Sequence, residues 1–140
     1  MIDSTLAREL LKAQNDVIIS ARLAHWNVRG PNFYEAHLLF GRIYETASDK
    51  VDTLVEVLRG LGYTATFDEF SGPGGSLPSY NYVPLLGLLT GHVTSYMAAL
   101  LRMRDAVKDE KMAAGLVNLI EQLCEDGTTL LYLLSAAQGL

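Results

Sequence analysis

Two histidines and two carboxylates stand at spacings that suit a metal ion. His25 and His37 flank the strong helix breaker Gly30-Pro31, and Asp52 and Glu56 follow on a later helix-like run. A tight turn at Gly30-Pro31 folds two helices antiparallel and brings the two imidazoles near each other. Residues four apart share one helix face, so Asp52 and Glu56 make a second small ligand set. Mixed imidazole and carboxylate donors suit iron, with zinc, manganese and cobalt as competitors. Hard carboxylate oxygens favour Fe(III) and therefore favour oxidation of Fe(II).

The two sets cannot meet within one chain if the helix after the turn is continuous. His37 and Asp52 are fifteen positions apart, which at about 1.5 Å rise per residue is roughly 22 Å. A metal–ligand bond is only about 2 Å. A second copy of the helix, antiparallel across a two-fold axis, places its Asp52 and Glu56 opposite the first copy's His25 and His37. Such a self-complementary contact makes two equivalent sites per dimer. A break in the helix near Thr46–Asp49 would remove this argument.

The elements that must position these residues are helical. Helix A is expected from about Ser4, its N-cap, to Val28, with Leu6, Leu10, Ala13, Val17, Ala21 and Ala24 on one face. Leu11, Ile18 and Ile19 widen that stripe, which we read as an oligomer contact. Helix B is expected from Pro31 or Asn32 to Arg59, with Phe33, Phe40, Ile43, Ala47, Val51, Leu54, Leu58 and Leu61 as its core stripe. Gly60 and Gly62 end it. Residues 63–81 form one long connection around a Gly/Pro/Ser tract, with a short helix expected at Thr66–Phe70. Helix C is expected over Val83–Lys108, opened by Pro84, with Gly87 and Gly91 allowing close backbone packing. After a turn at Asp109–Lys111, helix D is expected over Met112–Ala137. Met97, Met103 and Met112 fall on or near the core stripes. The resulting fold class is all-α: a ferritin-like four-helix bundle with one long B–C crossover containing a short helix.

Bulk properties agree. The 140 residues suit one domain, 1–140. Apolar residues make up 49% and charged residues 19%, which excludes a disordered chain. A net charge of −5 argues against a dominant nucleic-acid surface. The single cysteine, Cys124, cannot form an internal disulfide and fits a reducing compartment. Asp3, Arg8, Glu9 and Lys12 interrupt the first dozen residues, so no signal segment is read there. The longest uninterrupted apolar runs are too short to span a bilayer. The expectation is a cytoplasmic protein without a membrane segment.

The run His25-Trp26-Asn27-Val28, Gly30, Phe33, His37, Phe40, Tyr44, Asp52, Glu56 and Gly62 resembles the Dps mini-ferritins, the DNA-protection-during-starvation family. The match is close over residues 5–70 and rests on length and pattern thereafter. The resemblance implies that His25 and His37 of one subunit and Asp52 and Glu56 of another bind iron at an inter-subunit site. It implies a ferroxidase, in which Fe(II) is oxidised, preferably by hydrogen peroxide. The ferric mineral is then stored in a homo-oligomeric shell of twelve subunits built from two-fold dimers. Trp26 would lie near the iron and intercept oxidising equivalents; its ordinary role would be packing.

The chain also departs from the family. An acidic residue commonly lies four after the second histidine, where this chain has Gly41, leaving a second iron to water or to Glu45. The lysine-rich tail of DNA-binding members is missing, which argues against tail-mediated DNA binding. The alternative function is a DNA-coating protein of the same fold, with scattered basic residues and salt-sensitive binding. A di-iron site within the bundle would need Glu-x-x-His motifs. The positions three before His25, His37 and His92 are Arg22, Tyr34 and Leu89.

Overall fold

The computed structural model describes residues 2–140, and all regular structure among them is helical. Five α-helices run α1 Ser4–Asn27, α2 Phe33–Ser48, α3 Val51–Gly60, α4 Tyr82–Val107 and α5 Ala114–Ala137. Short 3-10 turns at Phe67–Phe70 and Lys111–Ala113 complete them. Helix α1 packs on α2 and α4, α4 packs on α5, and α5 closes the bundle against α2 and α3. The core joins Leu10, Val17, Phe40, Ile43, Leu54, Leu89, Leu100, Ile120 and Leu134 across all five helices. This is the expected ferritin-like bundle with its long crossover.

Several local expectations are corrected. The cap of α1 is Asp3 rather than Ser4: its carboxylate accepts from the backbone N–H of Thr5 at 2.9 Å and of Leu6 at 3.1 Å. Pro31 stays in the turn. The N–H of Phe33 donates to the carbonyl of Gly30 at 3.1 Å, and Gly30 has φ +113°. Pro31 thus holds the second turn position, where its fixed φ is suited, and α2 begins at Phe33.

Helix B is two helices. Lys50 leaves helical geometry at φ −111°, ψ 17°. The hydroxyl of Ser48 donates back to the carbonyl of Tyr44 at 2.8 Å, a contact that bends helices. Lys50 then reaches Asp126 of α5 at 2.9 Å and ties the break to the bundle.

The end of α3 follows from Gly62 alone. At φ +103° it lets its own N–H donate to Arg59 (3.1 Å) and that of Tyr63 donate to Leu58 (2.9 Å), while Gly60 remains helical. These are the paired bonds of a Schellman cap. In the crossover, Thr66 caps Phe67–Phe70 through a reciprocal box with Glu69. Glu69 is fully buried, and also accepts from the hydroxyl of Tyr63. Burial pushes its carboxyl up, but the bonds from Thr66 and Tyr63 outweigh this and hold it below the usual range.

The surplus apolar width of α1 is used within the chain. Leu11 is buried, and Gly72 of the crossover sits against Ile19, so close that a Cβ there would lie 3.0 Å from Cγ2. A cavity of about 160 Å³ remains between the crossover, α1 and α4, lined in part by Leu23, Leu77, Leu88 and His92. Gly87 and Gly91 face open space rather than a neighbouring backbone. Met112 is 88% exposed and leaves the core stripe. Helix α4 as a whole is long and apolar enough to cross a membrane by composition. Its Leu85, Leu89, Val93, Tyr96, Leu100 and Met103 are buried inside the bundle.

Candidate metal centre

The α1–α2 turn sets the two histidines against each other. Their rings stack at 3.8 Å between centroids with 14° between planes. His25 Nδ1 lies 2.6 Å from the carbonyl oxygen of His37, and His37 Nδ1 lies 2.7 Å from that of His25. A carbonyl oxygen has no proton to give, so in each contact Nδ1–H is the donor. In the neutral ring this leaves Nε2 with its lone pair. Each residue therefore orients the other's imidazole through its own backbone. A backbone acceptor on the far nitrogen is the arrangement that fixes a metal-binding histidine.

Gly41 is buried next to this pair. A Cβ built on it would lie 3.0 Å from Cε1 and Nδ1 of His25. Phe33, expected in the core, instead stacks on His37 at 5.2 Å and is partly exposed. Trp26 is not packed into the core: it is 61% exposed, with the Arg22 guanidinium 5.7 Å from its ring centre. Arg22 also lies 4.3 Å over Tyr44 and donates to its hydroxyl. Trp26, Phe33, Tyr34 and Leu38, all within four positions of one of the two histidines in sequence, are exposed.

Asp52 and Glu56 lie one turn apart on α3, both exposed. Among the described residues no three His, Cys, Asp or Glu side chains converge on one point within the chain. The imidazole pair and the carboxylate pair are thus each formed and not brought together. The break at Asp49–Lys50 invalidates the premise of a continuous helix, yet it does not join the two sets. The bundle interior offers no substitute: its buried polar side chains among the described residues are Gln14, Ser20 and Glu69. Gln14 donates to Tyr96 at 3.2 Å, and Glu69 serves its helix cap. His92 lies away from the pair, on the crossover cavity. Cys124 is a half-buried free thiol, pushed up by burial. The reciprocal imidazole hold and the fit at Gly41 were missed by sequence reasoning, although the glycine itself signalled an unusual position inside a helix.

Comparison with known proteins gives a consistent result. A family model described as Ferritin-like domain matches residues 6–134. Among solved structures, a Dps protein from Bacillus brevis superposes with TM-score 0.81 at 19% identity, covering 96% of this chain and 93% of that one. Dps from Microbacterium arborescens, in a high-iron form, gives 0.79 at 16% identity, covering 98% and 92%. Dps from Vibrio cholerae, described as a member of a broad superfamily of ferritin-like diiron-carboxylate proteins, gives 0.75 at 20% identity, covering 98% and 93%. In sequence, a DNA protection during starvation protein of Brevibacillus brevis is 47% identical over 38 residues, 27% of this chain and 26% of the relative. An uncharacterised protein of Haemophilus influenzae is 38% identical over 56 residues, 40% of this chain and 35% of the relative. The sequence matches to these two curated relatives therefore span only about a quarter to a third of their length.

Proposed function

The chain belongs to the ferritin-like domain family, and from that premise we propose that it is a Dps-type mini-ferritin that oxidises Fe(II) and stores the ferric product. The observation that carries this reading is the reciprocal hold on His25 and His37, with Nδ1–carbonyl distances of 2.6 and 2.7 Å. Two half-buried imidazoles, each with Nδ1 occupied, are preorganised to present Nε2 to a metal ion. Fe(II) is the substrate, and Asp52 and Glu56 of a two-fold mate supply the oxygen donors. Trp26, Tyr34 and Leu38, near the two histidines in sequence, expose large apolar side chains that such a mate would cover. Twelve subunits close the shell in this reading.

In the reaction, two Fe(II) ions each lose one electron. The O–O bond of hydrogen peroxide accepts both electrons and breaks, and with two protons it yields two water molecules. Taking the electrons as a pair avoids release of hydroxyl radical. The imidazoles bind and orient the ion, and the carboxylates favour its ferric state. In this reading Trp26, one residue from His25 and exposed, takes up a stray oxidising equivalent. The DNA-coating alternative draws no support from the net charge of −5.

The test is oxidation of Fe(II) by purified apo-protein, following ferric absorbance with peroxide or with air, with particle mass measured on the same sample. Fast peroxide-dependent oxidation by a particle of about twelve subunits is expected. A particle of that size that leaves Fe(II) unoxidised refutes the ferroxidase reading. A monomer that oxidises iron refutes the shared site.

A further inference from the structure

We propose that the cavity beneath the crossover is a second binding site, one that takes a small neutral aromatic molecule about the size of phenol. It stands apart from the metal centre: its walls are α1, α4 and the crossover, and none of the four proposed iron ligands lines it. The apolar side chains on those walls are Ile19 and Leu23 of α1, Leu88 of α4 and Leu77 of the crossover, and each is only partly buried. Elsewhere in the bundle such side chains are closed off completely, as Leu10, Leu85 and Leu89 are. Covering apolar surface that the fold leaves open is the driving force for an apolar ligand. The space is about 160 Å³, and an apolar cavity of about 150 Å³ holds benzene.

The lining selects the ligand's chemistry. Among the described residues on its walls there is no Asp, Glu, Lys or Arg, so a charged molecule would lose hydration without gaining a counter-charge. The polar side chains on the two helical walls are Ser20, 3% exposed, and His92. A hydroxyl and an imidazole each donate or accept, which suits one hydroxyl on the ring. The roof holds the space open. Gly74 and Gly75, at φ +83° and +70°, curve the crossover, and Pro73 and Pro78 fix their own φ on either side of that bend. Gly72 already rests on Ile19, where a Cβ would lie 3.0 Å from Cγ2, so the roof cannot settle further onto α1 at that point. A preformed space costs a ligand little reorganisation, and a rigid ring has no rotamers to freeze on entering it.

The experiment titrates the assembled, methyl-labelled protein with phenol, benzene and benzoate, following Ile and Leu methyl signals by NMR. With phenol the methyls of Ile19, Leu23, Leu77 and Leu88 should shift and saturate together at about one molecule per chain, while those of the core residues Leu10 and Leu134 stay in place. Benzoate should leave all of them unshifted. Leu77→Phe puts a ring into the cavity from the crossover and Leu23→Phe from α1, and each should weaken phenol by about 10-fold or more. Leu77 lies outside every helix, so its variant keeps the test available should Leu23→Phe disturb the bundle, and particle mass is recorded for both. Ser20→Ala with His92→Leu should weaken phenol about 2- to 10-fold, the loss of one neutral hydrogen bond, without weakening benzene. The proposal is overturned if the cavity methyls do not respond to phenol, as they would not where a side chain of a second copy fills the space in the assembled particle. It is equally overturned if benzoate binds as tightly as phenol, if both Phe variants bind phenol like wild type, or if the Ser20 and His92 double variant weakens phenol and benzene alike.

Discussion

A chain without imidazoles, His25→Ala with His37→Ala, should regain iron oxidation when assembled together with a chain without carboxylates, Asp52→Ala with Glu56→Ala. Both chains should fold. Asp52 and Glu56 are exposed on α3, and such surface substitutions change stability by less than about 0.5 kcal/mol. Each imidazole removed loses one Nδ1–H···O=C bond, worth about 1 kcal/mol net. The histidine variant is therefore weakened by about 2 kcal/mol, against a typical total of about 5–15 kcal/mol.

Neither chain alone can build the mixed ligand set. If the set forms across a two-fold axis, random pairing at equal amounts makes about half of the dimers mixed, each with one complete site and one empty one. About a quarter of all sites, and of the wild-type initial rate, should return. The two chains are unfolded together, refolded, isolated as particles of verified mixed mass, and assayed for ferric absorbance with peroxide. Mixed particles that stay at the baseline of the separate variants would refute the shared site, because complementation requires no geometry beyond the two-fold contact.

Two further outcomes test the elements that hold the site's scaffold. Glu69→Ala leaves the buried Tyr63 hydroxyl and the Thr66 N–H without their acceptor, and should cost about 2–4 kcal/mol, read as a lower denaturant midpoint. Because the folded Glu69 carboxyl is held below its ordinary value, its contribution is present above the unfolded pKa and is lost as pH falls through the folded one. The gap between wild type and Glu69→Ala should therefore narrow in acid, and a gap that stays constant from neutral pH down past the carboxylate range would contradict the buried-carboxylate account. Gly62→Ala places a side chain at φ +103° and should destabilise by about 1–2 kcal/mol, measured by equilibrium unfolding. Unchanged stability would mean that the Schellman cap does not depend on glycine.

Much of the arrangement is local and was readable from the chain itself. Apolar periodicity along Leu10–Ala24 and Leu85–Met103 marks which face of each helix is buried, because a helix turns at a fixed rate. Gly30-Pro31 and the Gly/Pro/Ser tract at 71–79 mark where the chain must leave helical geometry. The spacing of His25, His37, Asp52 and Glu56 already separates two ligand pairs. Other features depend on neighbours distant in sequence, and periodicity carries no record of those. Phe33 and Met112 fit the core stripes by position, but the elements that would cover them lie elsewhere, and both are exposed. Ile19 looked like surplus until the crossover folded back and brought Gly72 against it. The helix break at Lys50 is tied to the bundle by Asp126, 76 residues away. The closeness of Gly41 to the His25 ring exists only because α1 delivers that ring to that point of α2. A helix face is dictated by the residues on it, whereas the partner of that face, and the tautomer of a ring lodged there, follow only from the tertiary packing.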